Sequence, residues 1–334
     1  MPDRNRRLVL AERPSGMVDE RAVRMEEEDV PAPAAGEALA QVRYLSIDPT
    51  IRTWMDDAPG YLPPIAIGEV IRSGGVAEVL HSNCDSYSPG QLLFGLTGWQ
   101  DYVIADDAER AMQPLPEGVS PTTALGVLGI TGMTAYFGLL DVGRIKEGDT
   151  VVVSGAAGAT GSTVGQIAKI KGAGTAVGIA GGPSKCAWIV DELGFDVAID
   201  YKSSNVSERL RELCPQGIDL YFDNVGGEIL DACLANLAMR GRVVLCGAIS
   251  GYNDPNARGP ANYLSLLIRR GRMEGFIILD YVDRFPQAQA EMAGWLASGQ
   301  IKSAEHVVEG LEHAPDALNL LFTGGNTGKV MVRV

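Results

Sequence analysis

The chain has 334 residues, 46% of them hydrophobic and 21% charged, a length that suits about two domains and a balance that supports packed cores rather than disorder. Its net charge of −14 disfavours nucleic acid and anionic membrane surfaces and favours a small-molecule partner, so an anionic cofactor has to be met by local positive groups. No apolar run of about 18 residues and no secretory-type core in MPDRNRRLVLAER is present, and the five cysteines Cys84, Cys186, Cys214, Cys233 and Cys246 are scattered; no membrane span, reduced thiols and a cytoplasmic location are expected.

The first third reads as β-rich. Leu39–Tyr44, Ile65–Ile71, Val76–Leu80 and Gln91–Leu96 are short strand-like runs, separated by turn formers such as Pro31-Ala-Pro33, Asp48-Pro49, Pro63-Pro64 and Ser88-Pro89-Gly90. That pattern predicts a barrel or sandwich domain. Glu26-Glu27-Glu28-Asp29 is expected to be a solvated face. Pro121–Leu140, apolar and rich in small residues, has the spacing of a connecting helix.

From Thr150 the chain alternates. Strands are expected at Thr175–Ala180, Val197–Asp200, Ile218–Asp223, Arg242–Gly247 and Gly275–Leu279. Helices are expected at Pro183–Leu193, Val206–Leu213, Ile229–Met239, Tyr263–Arg270 and Arg284–Ser298. Such alternation implies a doubly wound parallel sheet with ligands at the carboxyl ends of its strands. Val307-Val308 and Val330–Val334 are strand-like again and suit a return to the first domain.

Thr150–Lys171 organises this half. Val151, Val152, Val153 and Ser154 look like a buried parallel strand. Gly155, Gly158 and Gly161 follow at intervals of three, and Val164, Ile167, Ala168 and Lys171 then recur at helical spacing. A strand, a glycine turn and a helix opening on that turn make a phosphate site, because the helix N-terminus offers free N–H groups. Glycines also cluster in plain turns, and the alternating context is what favours a dinucleotide.

An NAD site places an Asp or Glu at the end of the second strand for the ribose hydroxyls. Here that strand ends in Ala180-Gly181-Gly182-Pro183-Ser184-Lys185, without an acid. The base and the missing acid together favour NADP(H), although Lys185 alone also reads as a first-turn surface lysine. Tyr201, after the third strand, suits either a lid on the adenine or phosphate or a packing role. The fourth strand ends in Asp223-Asn224-Val225-Gly226-Gly227 and the fifth in Cys246-Gly247-Ala248-Ile249-Ser250-Gly251-Tyr252. Asn224 offers an amide to a ribose or a carboxamide, Gly247 permits close backbone approach, and Asp223 equally suits a helix cap.

Only His81, His306 and His313 are present, and none stands at a metal-ligand spacing with a cysteine, so no metal is expected. Hydride transfer needs a positioned nicotinamide and a group that polarises the acceptor. A hydroxyl is the remaining choice: a tyrosine, a serine or the cofactor ribose. Tyr44, Tyr61, Tyr252 and Tyr263 are the candidate tyrosines, each of which also has a packing alternative.

With these residues in hand, the chain resembles the zinc-free medium-chain dehydrogenase/reductases, in the prostaglandin reductase and alkenal double-bond reductase group that includes curcumin-reductase-like members. The resemblance rests on YLSIDPTIR (44–52), GWQDYV (98–103), LGVLGITGMTAY (125–136), AAGATGSTVGQIAKIKG (156–172), LGFDVAIDYK (193–202), YFDNVGG (221–227), CGAISGYN (246–253), RMEGFI (272–277) and GNTGKVMVRV (325–334). It implies an α/β chain with a GroES-like β-barrel domain over residues 1–122, a Rossmann doubly wound parallel-sheet domain over 123–300, a C-terminal return to the barrel over 301–334, and a homodimer. It also implies that Gly158 opens the turn and that Ala159, Thr160, Gly161 and Ser162 cradle the pyrophosphate. Lys185 and Tyr201 would hold the 2′-phosphate end, and Asn224, Cys246, Gly247, Ala248, Ile249, Ser250, Tyr252, Phe276, Ile277, Ile278 and Asn326 would line the rest. Among the tyrosines, Tyr61, Tyr252 and Tyr263 are taken as the catalytic candidates. Family members often carry tyrosine where this chain has Thr50 and Ile268. The implied activity is NADPH-dependent reduction of the C=C bond of an enone or alkenal, with quinone or carbonyl reduction, or NADPH binding without catalysis, as alternatives.

Overall fold

The computed structural model describes residues 4–106, 108 and 111–334. They form two compact units, Met1–Leu125 with Glu305–Val334, and Gly126–Ala304.

In the first unit β1 (Arg4–Leu10) pairs antiparallel with β2 (Val23–Asp29), setting Arg4 opposite Asp29 and Arg7 opposite Glu26. The acidic run is therefore a cross-strand ladder rather than a purely solvated face. Arg4 meets Asp29 at 2.6 Å and Arg7 meets Glu28 at 2.7 Å and Glu26 at 3.3 Å. Pairs of this kind contribute roughly 0.2–1 kcal/mol each.

The main sheet of this unit contains β3 (Glu37–Ser46), β4 (Gly74–Ser82), β5 (Leu92–Leu96) and β7 (Met112–Pro114), with β6 (Tyr102–Asp106) also paired to β3. Short helices α1 (Thr50–Trp54) and α2 (Pro121–Leu125) flank it. The strand expected at Ile65–Ile71 is absent. Ile65 and Ile71 are buried, but the segment runs through turns and only its second half lies along β1, with Val70 opposite Val9 and backbone bonds from Gly68 to Leu10, Leu10 to Glu69 and Ile71 to Leu8. Burial of its two end residues imitates a strand signal where Gly68, at φ of +89°, bends the chain.

The second unit opens with α3 (Ile130–Phe137), which runs into a π-helical turn over Gly138–Val142. Then come β8 (Thr150–Ser154), α4 (Ala159–Ile170), β9 (Thr175–Ala180), α5 (Pro183–Asp191), β10 (Val197–Asp200), α6 (Val206–Leu213), β11 (Ile218–Asp223), α7 (Gly227–Ala235), β12 (Leu237–Leu245), α8 (Leu264–Arg269), β13 (Arg272–Gly275) and α9 (Phe285–Ala297). The six strands are parallel in the order β10-β9-β8-β11-β12-β13. β8 lies at the centre with Val151, Val152 and Val153 fully buried, each worth roughly 1.5–3 kcal/mol of burial.

Two boundaries differ from expectation. The helix expected to reach Met239 ends at Ala235, because Leu237 and Ala238 are drawn into β12 beside Gly217 and Ile218. The strand expected at Gly275–Leu279 lies earlier, at Arg272–Gly275. β12 ends at Leu245, opposite Gly275, so no partner remains for the residues that follow.

The chain then returns to the first unit through β14 (Glu305–Glu309), α10 (Ala314–Thr323) and β15 (Lys329–Arg333), giving that sheet the order β14-β15-β3-β4-β5-β7. Lys329, 3% exposed, donates from Nζ to the Ile47 carbonyl at 2.8 Å and to Asp48 at 2.6 Å. This buried ammonium locks β15 to the end of β3.

Candidate cofactor and active site

In the second unit the sheet order reverses between β8 and β11, so the crevice for a ligand opens at the carboxyl ends of those strands. Gly155, with φ of +59°, turns the chain out of β8. A Cβ on Gly161 would stand 2.3 Å from the Gly155 carbonyl oxygen, so only glycine lets the first turn of α4 pack this tightly. Gly158 caps α4 without a side-chain bond. The N–H of Ser162 returns to the Gly158 carbonyl at 3.0 Å, which leaves the N–H groups of Ala159, Thr160 and Gly161 as the open donors of the helix end. Together with the helix dipole they form an anion cradle, and this donor set fits a pyrophosphate.

Next to it, β9 and β10 bring together Gly181, Gly182, Lys185, Tyr201 and Lys202. A Cβ on Gly181 would meet the Tyr201 ring at 2.9 Å and the Lys202 side chain at 3.0 Å. Burial lowers the Lys185 ammonium below the usual lysine range, and the Lys202 charge lowers it further. Lys185 is half-buried, whereas Lys202 is exposed. Two cations thus converge on one spot of a chain that is acidic overall. The second strand carries no acid, yet Asp200 at the end of β10 reaches the same loop. It accepts the N–H groups of Gly182 at 2.8 Å and Lys202 at 3.0 Å and the Ser203 hydroxyl at 2.9 Å. The Gly182 and Lys202 N–H groups hold the Asp200 carboxyl below its ordinary range. The Gly182 N–H is therefore committed to shaping the loop.

On the other side of the crevice, Ser154 and Asp223 organise the turn after β11. The Asn224 N–H donates to Ser154 Oγ at 3.0 Å and its Nδ2 to the Ser154 carbonyl at 2.7 Å, which leaves Oδ1 of Asn224 without a protein partner among the described residues. Asp223 is fully buried. Its Oδ1 accepts from Tyr221 Oη at 2.6 Å, Ser154 Oγ at 3.1 Å and the N–H groups of Val225 and Gly226 at 2.9 Å each. Its Oδ2 has no partner among the described residues. Burial pushes the carboxyl up, opposed by these donors. Burial, then Asp223, pushes the Cys246 thiol up to about 12.

The loop after β12 folds back on that turn. Cys246 and Gly247 donate their N–H groups to the Asp223 carbonyl at 2.9 and 3.1 Å, and Ile249 donates to the Asn224 carbonyl at 3.3 Å. Ser250 Oγ donates to the Val225 carbonyl at 2.6 Å, and the Tyr252 hydroxyl accepts the Ala248 N–H at 3.2 Å. Phe276 packs against Gly138 and edge-on to Tyr281, with Ile277 and Ile278 leading into a 3₁₀ turn. Tyr263, 59% exposed, precedes α8.

Tyr61 and Asn326 lie in the first unit. Burial raises the Tyr61 phenol, with Thr50 and Trp54 pulling against it, and its ring stands edge-on to Trp54 at 6.2 Å. Asn326 donates to the Gly328 carbonyl at 3.0 Å. Tyr44 packs beside Val76, Leu125 and Met331. No group of three or more His, Cys, Asp or Glu able to hold a metal ion occurs among the described residues, and none of their helices is long and apolar enough to cross a membrane.

Lys202, Asp200 and Ser154 were not singled out from sequence. The readable signal for Lys202 was its place directly after Tyr201 on the strand that neighbours β9.

Comparison with known proteins decides the lineage. Residues 6–113 match the family model described as the N-terminal domain of oxidoreductase and residues 159–294 that described as zinc-binding dehydrogenase. An NADPH-dependent curcumin reductase of Escherichia coli (strain K12) is 44% identical, across 99% of this chain and 97% of that protein. The chain belongs to the zinc-free medium-chain dehydrogenase/reductase family. Another member, an NADP(+)-dependent 2-alkenal reductase of Nicotiana tabacum, is 41% identical across 87% of this chain and 85% of that protein. The crystal structure of CurA from Vibrio vulnificus in complex with NADPH superposes with a TM-score of 0.93 at 45% identity, covering 98% of this chain and 99% of that one. Within the family, the GroES-like and Rossmann domains correspond to the two matched segments.

Proposed function

We propose that this chain is an NADPH-dependent reductase of the C=C bond in α,β-unsaturated ketones and aldehydes. The observation that carries the cofactor is the pair Lys185 and Lys202 next to the open N–H groups of α4. A 2′-phosphate is a dianion for which two lysines in an acidic protein have a clear use. The C=C acceptor is supported by the curcumin and 2-alkenal reductases to which the chain is similar.

Each part of the site has a task in this reading. The open N–H groups of Ala159, Thr160 and Gly161 bind the pyrophosphate. Lys185, Lys202 and Tyr201 hold the phosphorylated ribose. Asn224, fixed by Ser154, presents Oδ1 to a carboxamide or ribose donor. The loop from Cys246 to Tyr252, with Phe276, Ile277 and Ile278, lines the remainder. When bound, NADPH supplies the hydride that the β-carbon receives. A neutral hydroxyl donating to the carbonyl oxygen stabilises the enolate as charge develops; Tyr61, Tyr252 and Tyr263 are the candidates, and solvent supplies the α-proton.

The outer edge of β13 has no strand partner in the described sheet, and nearby α8 exposes Leu267 at 74% and Ile268 at 67%. Pairing of two copies along β13 would continue the sheet and cover α8, which supports a homodimer. The reduced thiols and small-molecule chemistry suit a cytoplasmic setting.

The test is to mix protein, NADPH and an enone, follow the loss of cofactor absorbance and identify the product. A saturated ketone is expected. An allylic alcohol, or quinone turnover far faster than that of any enone, overturns the reading.

A further inference from the structure

We infer that Asp223 is a positioning residue whose buried negative charge biases the bound nicotinamide toward its oxidised, cationic form. The inference rests on the NADP(H) reading above.

The donors to Asp223 are two backbone N–H groups and the hydroxyls of Tyr221 and Ser154. None is cationic. Neither lysine nor arginine is paired with it, and its other neighbours, Cys233 and Cys246, are thiols held neutral by burial. The carboxylate is fully buried, and one oxygen is unpartnered. Leaving a charge so placed is costly. A turn that needs only an acceptor is served as well by Asn or Ser. The charge itself therefore has a use.

Its position says which. Asp223 ends β11, beyond the point where the sheet order reverses from β8. The α4 cradle and the Lys185–Lys202 pair occupy the β8-β9-β10 half, which is the adenosine end of a doubly wound site. The β11-β12 half is then the nicotinamide end. A hydride leaves with two electrons and a proton, turning a neutral ring into a cation. A fixed, fully buried anion at that end of the site favours the cation.

The test is the ratio of dissociation constants for NADPH and NADP+, measured by fluorescence titration at pH 8 without acceptor. Asp223→Asn keeps an acceptor for the four donors and removes the charge. It is expected to weaken NADP+ relative to NADPH by roughly tenfold, the scale of one charge interaction at an effective dielectric near 20. Tyr221→Phe removes the shortest donor and leaves the charge less compensated, so its ratio is expected to move the opposite way. Opposite shifts support the inference, since loosened packing moves both variants alike. Shifts of the same sign, or a ratio within about twofold of the parent in Asp223→Asn, overturn it. If Asp223→Asn does not fold, the sign in Tyr221→Phe decides alone. A parent protein that binds neither nucleotide overturns this inference and the proposed function together, whereas an unshifted ratio in a protein that binds both overturns this inference only.

Discussion

Replacing Lys185 by glutamine should raise the KM for NADPH while leaving NADH nearly untouched. The size follows from the surroundings of the two lysines. Lys185 is half-buried and already partly desolvated, as the depression of its ammonium by burial shows. A charge-assisted hydrogen bond from such a group is worth about 1.5–3 kcal/mol, or roughly 10- to 150-fold in affinity. Lys202 is exposed, and screening reduces its share to about 0.2–1 kcal/mol, less than about sixfold. The two ammonium groups also repel each other, so removing Lys202 restores part of the ordinary Lys185 basicity, and the double variant should lose more than the sum of the singles. Steady-state kinetics with NADPH and NADH, at low and high salt, measures all of this. Equal losses with both nucleotides would refute the reasoning, and so would a larger loss at Lys202 than at Lys185.

Gly161→Ala places a Cβ 2.3 Å from the Gly155 carbonyl oxygen and 3.0 Å from Ala156 Cα; we predict at least tenfold weaker NADPH binding and a midpoint lower by about 3–10 °C in a thermal melt, and an unchanged melt would show that the turn is loose. Lys329→Met leaves Asp48 without its buried ammonium and should destabilise the protein by about 2–4 kcal/mol in urea titration; a loss below about 0.5 kcal/mol would mean the pair is structurally idle. Burial and the Glu291 hydrogen bond push the Tyr136 phenol from 10 up to about 12, so its contribution is complete below pH 10 and is lost as pH rises to about 12. The fall of the melting midpoint across that window should therefore be shallower in Tyr136→Phe than in the parent, and identical slopes would count against the Tyr136–Glu291 contact. Leu267→Glu, at a 74% exposed position, should turn a dimer into a monomer by light scattering while leaving the melt of the monomer intact; a dimer that persists would move the interface elsewhere.

The Rossmann half was readable because its signals are local and agree with one another. β8 is a run of buried valines, the glycine turn needs its glycines sterically, and β9, β10 and β11 end where their apolar runs end. The expectations that failed were those where tertiary pairing decides. Leu237 and Ala238 carry a helical spacing but are captured by β11, and Ile65–Ile71 has strand composition but meets β1 only over its second half, beyond the Gly68 bend. The acidic run at Glu26 needed the register of β1 against β2 to become an ion-pair ladder. Within the site, Lys185 and Tyr201 were visible as strand-end residues, while Lys202 and Asp200 became visible only when β9 and β10 were laid side by side. Ser154 looked like the last residue of a strand, and only the Asn224 bonds give it a task.

The clamp between Lys329 and the Ile47–Asp48 corner spans 282 positions in sequence. At about 5–20 residues per second of synthesis, the β3 edge that receives β15 waits roughly 15–60 s on the ribosome for its partner. The second unit, contiguous from Gly126 to Ala304, has all its strands in hand before that. Production of this protein in cells should therefore be limited by the half that is made first and finished last, and the open β3 edge is where a chaperone, or another nascent chain, has its opportunity.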